Sequence, residues 1–303
     1  MGIYQTKICY AQTMKEQLLV TELSKTYELI DCGEGYKLER FGEYVLARPD
    51  PQAIWAKAKS KELWDNAHGY FARSGETGKW TTNNMPESWE VLFDNITFEL
   101  RPTSFKHTGL FPEQAVHWDF MAEQIKKAKE NKIEINVLNL FAYTGGASIA
   151  CAKAGANVVH VDGSKTAISW AKKNGELSHV DNIRFMLDDV MDFLKREARR
   201  GNKYDGIVLD PPSFGRGPKQ EIWKIDEQFL ELAQAIDAVL VDEPLFVVAS
   251  GYASGFSPIA YHNVFASIKK LSNMKTESGE LAIKEGGEKG RLLPAGMYWR
   301  CHK

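Results

Sequence analysis

The chain has 303 residues, of which 44% are hydrophobic and 26% are charged, with a net charge of −2 and a pI near 6.4. These values are typical of an ordinary soluble protein and do not favour a constitutive nucleic-acid coat protein. No apolar run approaches the roughly 18 residues that cross a bilayer, so we expect a cytoplasmic protein without a membrane anchor. The four cysteines are scattered and the histidines lack ligand spacing, so we expect neither disulfides nor a bound metal.

The first third of the chain is predicted to be mostly β-structure. Residues 1–23 are interpreted as an arm with a short helical run over 14–20, and residues 24–105 as a small, mostly-β domain that could hold a substrate. Short aromatic and β-branched runs, separated by Gly, Asp and Pro, predict its strands. The predicted strands are 36–41 and 44–48, which form a hairpin, and then 69–73, 89–93 and 96–100. Pro51 at a first turn indicates a helix over 51–58.

After Pro102 the hydrophobic pattern changes, and residues 106–303 are predicted to form a single larger domain. A helix over 118–125 is followed by strands that alternate with helices, which favours a doubly wound parallel sheet of the Rossmann-like type. Near the C-terminus we expect a buried strand over 245–249, a helix over 260–271 and a closing antiparallel hairpin of 280–283 with 297–300.

Three predicted strand ends carry the candidate chemistry. The strand over 137–141 breaks into a turn containing Gly145 and Gly146, and the next strand ends at Asp162, where an α/β nucleotide site places an acid for a ribose. The turn lacks the three-glycine spacing of a dinucleotide fingerprint, which fits a nucleoside without phosphates and disfavours a nicotinamide oxidoreductase.

Two further acids, Asp188 and Asp189, follow the third strand of this region. A carboxylate there can accept the amino group of an adenine, and the sequence does not decide which of the two does so. An acid at a strand end is often only the cap of the following helix, so each assignment has that simpler alternative.

The sequence 210–214, Asp-Pro-Pro-Ser-Phe, follows a further predicted strand. Proline fixes φ, so the carboxylate of Asp210 and the carbonyl of Pro211 would be held rigidly at the end of this strand. Phe214 offers an aromatic face for stacking. The alternative is a turn that merely ends the strand.

Together, the segments 138–145, 161–164, 188–190 and 210–217 resemble the motifs of class I S-adenosylmethionine-dependent methyltransferases. More narrowly, the chain resembles the group that contains the bacterial large-ribosomal-subunit RNA methyltransferases I and K, and residues 106–114 resemble a motif that lies beside the cofactor in that group. The resemblance implies that Phe141, Tyr143 and Gly145 surround the methionine part of the cofactor, Asp162 its ribose and Asp189 its adenine. It also implies that Asp210 and the Pro211 carbonyl accept the hydrogens of an acceptor amine, and that Phe214 stacks on a base taken out of its stack.

We therefore predict a site with three sets of residues. The catalytic set is Asp210, Pro211, Pro212 and Phe214. The cofactor set is Phe111, Asn139, Phe141, Tyr143, Thr144, Gly145, Asp162, Ser164, Asp188, Asp189 and Asp210. The substrate set is Ser213, Arg216, Lys219 and Lys224, whose basic members could meet phosphates.

The predicted function is transfer of a methyl group from S-adenosylmethionine to a base nitrogen in RNA, with ribosomal RNA as the expected substrate. Methylation at carbon 5 of cytosine needs a cysteine nucleophile near residue 210 or at the end of the following strand, and no cysteine lies at either place. The alternatives are a methyltransferase for a small molecule or a protein, and a non-catalytic module that binds the cofactor and docks on RNA. The sequence does not define the acceptor nucleotide or the oligomeric state.

Overall fold

The computed structural model describes residues 16–22, 24–74, 77–252 and 255–303. The strands are β1 (Glu16–Thr21), β2 (Tyr27–Gly33), β3 (Tyr36–Phe41), β4 (Tyr44–Pro49), β5 (Gly69–Ser74), β6 (Thr77–Thr82), β7 (Trp89–Phe93), β8 (Ile96–Leu100), β9 (Asn136–Leu140), β10 (Asn157–Asp162), β11 (Ile183–Leu187), β12 (Gly206–Leu209), β13 (Phe214–Arg216), β14 (Ile222–Lys224), β15 (Phe246–Gly251), β16 (Lys275–Lys284) and β17 (Leu292–His302). The α-helices are α1 (Lys61–Asp65), α2 (Ala115–Lys129), α3 (Gly146–Lys153), α4 (Lys165–Leu177), α5 (Val190–Arg200), α6 (Ile225–Val239) and α7 (Pro258–Phe265). Within these described ranges, no helix is long and apolar enough to cross a membrane.

The centre of the molecule is an eight-stranded sheet of order β1-β16-β17-β15-β12-β9-β10-β11. The strands from β15 to β11 in this order are mutually parallel, and β17 runs antiparallel to β15 and β16. Leu140 of β9 lies opposite both Val161 of β10 and Leu209 of β12. The carboxyl ends of these three strands therefore meet at one edge, which confirms the predicted fold class and the predicted adjacency of the strand ends.

Both faces of this sheet are covered, because successive side chains along each parallel strand enter two different cores. Val137 and Val208 pack with α2 and α3 on one face. Leu138 and Ile207 pack with α5, α6 and α7 on the other. Burial on both faces explains why the strands are nearly continuous apolar runs.

The N-terminal region adds a five-stranded sheet of order β2-β3-β4-β5-β6 and a separate hairpin, β7-β8. The hairpin packs on helices of the main sheet. Phe98 stacks on Trp118 of α2 with ring centroids 5.7 Å apart, and Trp170 of α4 donates its indole N–H to the Glu99 carbonyl at 2.7 Å. The boundaries of the predicted arm and two domains stay a prediction.

Two predicted helices are wrong, and a third is shorter than expected. Residues 16–20 of the run over 14–20 belong to β1, which pairs in parallel with β16, while residues 14 and 15 lie outside the described residues. Residues 51–58 form a loop instead of a helix. At the end of this loop, the backbone N–H of Ala58 donates to the carboxylate of Asp31 at 3.2 Å instead of to a carbonyl one helical turn earlier. The helix over 260–271 is α7 followed by a 3-10 turn, Lys269–Leu271.

Candidate active site

A cavity of about 470 Å³ lies at the carboxyl ends of β9, β10 and β12. Open α/β sheets bind ligands at this edge, and the volume falls in the range of roughly 300–1,000 Å³ typical of small-molecule sites. Most of the predicted site residues line it: Phe111, Asn139, Phe141, Tyr143, Thr144, Gly145, Asp162, Ser164, Asp188, Asp189, Asp210, Pro211, Pro212, Ser213 and Arg216. Phe214, Lys219 and Lys224 are not among the lining residues.

The turn after β9 has an unusual backbone. Phe141, Tyr143 and Gly145 have φ values of 55°, 47° and 90°, in the left-handed region that non-glycine residues rarely adopt. Such positions persist where the surroundings hold them. Here Tyr143 N donates to Asp162 Oδ2 at 2.9 Å, and the Thr144 hydroxyl donates to the Gly109 carbonyl at 2.6 Å. These bonds join the turn to β10 and to the segment that precedes α2.

The carboxylate of Asp162 is engaged at both oxygens and still has room for a ligand. Oδ2 accepts from Tyr143 N, and Oδ1 accepts from Ser164 N at 2.8 Å. Burial raises the pKa of Asp162, and these two backbone hydrogen bonds oppose the shift. Because each carboxylate oxygen offers two lone pairs, one on each oxygen is left for groups in the cavity.

The two acids after β11 differ in their partners. Asp189 is the N-cap of α5, and its Oδ1 accepts from Asp192 N at 3.0 Å. Asp188 forms an ion pair with Arg196. The cap therefore accounts for one oxygen of Asp189, and the ion pair with Arg196 accounts for one oxygen of Asp188.

The segment after β12 presents Asp210 to the cavity. The carboxylate is open to the cavity space yet surrounded by protein, and this desolvation raises its pKa to about 6. The following turn is fixed from outside, because Trp223 donates its indole N–H to the Pro212 carbonyl at 2.7 Å. Trp223 also packs against Phe141, with ring centroids 4.9 Å apart. Proline geometry and the indole bond thus hold the segment rigidly.

The β13-β14 hairpin borders the cavity, which Gly215, Arg216 and Trp223 line. A Cβ on Gly163 would lie 3.1 Å from the carbonyl oxygen of Arg216, so a larger residue there would push the hairpin away by a few tenths of an ångström. Phe214 is 52% exposed on this hairpin. Lys219 N donates to the Glu221 carboxylate, and the Lys224 ammonium pairs with Glu227 at 2.7 Å. A phosphate contact by these two lysines stays a prediction.

Sequence reasoning missed one wall of the cavity. Lys37 of β3, Arg48 of β4 and Tyr252 line it, next to Glu113 of the segment 106–114, which the resemblance places beside the cofactor. Burial raises the pKa of Glu113 to about 7, and burial together with nearby cations lowers that of His107 to about 3. Charged residues alternating with apolar ones on a hairpin are common on surfaces, so no local signal marked this wall.

The comparisons with known proteins agree with this geometry. The family model of S-adenosylmethionine-dependent methyltransferases matches residues 22–243. The crystal structure of a SAM-dependent methyltransferase from Agrobacterium tumefaciens is 33% identical, with a TM-score of 0.90, and the match covers 100% of this chain and 99% of that one. The chain therefore belongs to the family of S-adenosylmethionine-dependent methyltransferases, and the predicted cofactor is confirmed.

The curated relatives match over shorter stretches. A ribosomal RNA large subunit methyltransferase I from Aeromonas salmonicida is 46% identical over 87 residues, which are 28% of this chain and 22% of the relative. A ribosomal RNA large subunit methyltransferase K/L from Pseudoalteromonas atlantica is 33% identical over 146 residues, 47% of this chain and 19% of the relative. The matched part is thus about a fifth of each relative. These similarities confirm the group that the motifs resemble.

Proposed function

We propose that the protein transfers a methyl group from S-adenosylmethionine to a base nitrogen in RNA, with ribosomal RNA as the substrate. The observation that carries this proposal is the position of Asp210. Asp210 lines the cavity directly after β12, and two prolines follow it and hold it rigidly. Strand β12 pairs with β9, which leads into the glycine turn. An acceptor amine and a methyl donor would therefore lie side by side.

The cofactor fits the half of the cavity formed by β9, β10 and β11. We assign the ribose to Asp162, whose carboxylate keeps unused lone pairs, and the adenine to Asp189 rather than to the paired Asp188. Phe141, Tyr143 and Gly145 would border the methionine part. When bound, S-adenosylmethionine supplies an electrophilic methyl group on a sulfonium.

The residues at the end of β12 suit a nitrogen acceptor. Methyl transfer to an amine is mainly a positioning task, and a fixed carboxylate that accepts the hydrogens of the amine directs its lone pair. The cysteines within the described residues, Cys32, Cys151 and Cys301, are buried and do not line the cavity. This supports the nitrogen acceptor over carbon-5 chemistry, which needs a thiolate there.

RNA as the substrate is supported by the names of the curated relatives and by an arginine and two aromatic side chains in or beside the cavity. Arg216 lines the cavity, while Phe214 and Tyr252 are about half exposed at the loops after β12 and β15. An arginine contacts phosphates and aromatic rings stack on bases, which is how proteins hold single-stranded or flipped nucleotides. Substrates of a fold vary, so a small molecule or a protein remains the competing acceptor.

The test is transfer of tritiated methyl groups into an extract of cells that lack the gene. We expect the label to enter material that ribonuclease destroys and protease does not, and the Asp210→Ala variant to bind the cofactor but transfer almost no label. Label that survives ribonuclease would identify a protein or small-molecule acceptor. Cofactor binding without any labelled product would indicate a non-catalytic module.

A further inference from the structure

Three cations from the region before α2 line one wall of the cavity. Lys37 and Arg48 lie opposite each other in the β3-β4 hairpin, and Lys106 lies in the loop that precedes α2. The first two have carboxylate partners. The Arg48 guanidinium binds Glu39 at 3.0 Å through Nε, and Lys37 Nζ lies 3.4 Å from Asp50.

Lys106 differs from its neighbours. Among the described residues, no carboxylate lies within ion-pair distance of it, and its Nζ donates to the Pro49 carbonyl at 3.1 Å. Its backbone has φ +66°, a left-handed conformation that a lysine adopts only where its surroundings hold it. An ammonium has three hydrogens to donate, so two are left for a ligand.

The charge of Lys106 persists near neutral pH. Burial, followed by the charge of Lys37 and then those of Arg48 and Arg73, lowers its pKa to about 8 against the opposing effect of the Asp50 carboxylate, so most molecules are still protonated at pH 7. Glu113 in the same cavity compensates only in part, because burial raises its pKa to about 7 and about half of it is then neutral. Since Arg48 and Lys37 are paired with Glu39 and Asp50, Lys106 is the cation of this wall that has no ion-pair partner among the described residues.

The ammonium of Lys106 lies on the side of the cavity where we expect the acceptor. Its Nζ lies 5.8 Å from the ring centroid of Tyr252, which directly follows β15, and Tyr252 donates its hydroxyl to Asp50 at 3.3 Å. In the sheet, β12 separates β15 from β9, β10 and β11. Along the sheet edge, Asp210 after β12 therefore lies between Asp162 at the end of β10 and the β15 side, where Lys106 lies.

We propose that Lys106 binds a backbone phosphate next to the nucleotide that is methylated. This inference rests on the proposed function and deepens it, because it makes the segment between β8 and α2 part of the substrate site. A lysine ammonium binds phosphate as a point charge, and phosphate contacts fix the register of a nucleic acid without reading its sequence. The contact would therefore place the strand so that one base reaches Asp210.

The test measures binding of ribosomal RNA, isolated from cells that lack the gene, across a salt series. Each neutralised phosphate of a single strand adds about 0.7 to the slope of log affinity against log salt. We expect Lys106→Gln to lower that slope by about 0.7. When KCl is raised from about 50 to about 200 mM, the factor by which affinity falls should then be roughly 2.6 times smaller for the variant than for the wild type. Lys106→Arg keeps the charge and should keep the slope.

The matched control is Lys126→Gln, an exposed residue near the C-terminal end of α2 and about 12 Å along that helix from Trp118, which lines the cavity. It removes the same charge and should leave the slope unchanged. Thermal unfolding of each variant checks that it is folded.

Three results would overturn the inference, and they are distinguishable. An unchanged slope in Lys106→Gln, with salt-dependent binding by the wild type, would reject the phosphate contact but leave the proposed function standing. A tenfold loss of S-adenosylhomocysteine affinity with an unchanged slope would mean that the anion held by Lys106 is the carboxylate of the cofactor. Absence of RNA binding by the wild type would reject the proposed function as well.

Discussion

The cofactor half of the site is tested most sharply by Asp162→Asn. This change keeps the size of the side chain but replaces one acceptor oxygen with an amide NH₂ group, which must then face the N–H of Tyr143 or Ser164. A hydrogen bond to a charged acceptor contributes about 1.5–3 kcal/mol. If one such bond to a ribose hydroxyl is lost, we expect S-adenosylhomocysteine to bind about 10- to 150-fold more weakly.

Isothermal titration calorimetry with S-adenosylhomocysteine measures this loss. Asp181→Asn is the matched control, because Asp181 is an exposed acid just before β11, at the edge of the sheet opposite the cavity. It should bind the ligand as the wild type does. An affinity of Asp162→Asn within about twofold of the wild type, with an unchanged unfolding temperature, would remove Asp162 from the cofactor site.

Three further predictions concern other parts of the molecule. Because the pKa of Asp210 is raised to about 6, its carboxylate form is lost as the pH falls through that value; methyl transfer should then drop about tenfold per pH unit below about 6. Asp210→Asn should lose most activity, and its remaining activity should not fall as the pH drops below about 6. A fall that persisted in this variant would come from the titration of another group. Asp189→Ala should weaken cofactor binding in calorimetry more than Asp188→Ala, and the reverse order would transfer the adenine contact to Asp188. Gly146→Ala would place a Cβ 2.5 Å from the Trp118 ring, so urea unfolding should show a loss of about 1–3 kcal/mol, whereas unchanged stability would mean that the ring moves freely.

The central sheet and the cofactor half could be predicted from the sequence because their signals are local. Each strand is a short apolar run that ends in a turn or an acid, and parallel strands bring these ends together at one edge. The residues after β9, β10 and β12 therefore line one cavity, as the adjacency of Leu140, Val161 and Leu209 requires.

The remaining features depend on contacts between distant parts of the chain. The loop over 51–58 satisfies the carboxylate of Asp31 instead of forming helical hydrogen bonds, and β1 is fixed by pairing with β16. The part of the cavity wall that Lys37 and Arg48 contribute forms only when the β3-β4 hairpin packs beside the end of β15. No pattern within a short window of sequence reveals such pairings, since local propensity is overridden by tertiary structure.

The most direct measurement is methyl transfer into ribosomal RNA from cells that lack the gene, by the wild type and by Asp210→Asn, followed by mass spectrometry of the nucleosides. We expect one nucleoside methylated on a base nitrogen with the wild type, and almost none of it with the variant. Formation of 5-methylcytidine, or a variant as active as the wild type, would contradict the assignment of Asp210 as the residue that positions an acceptor nitrogen.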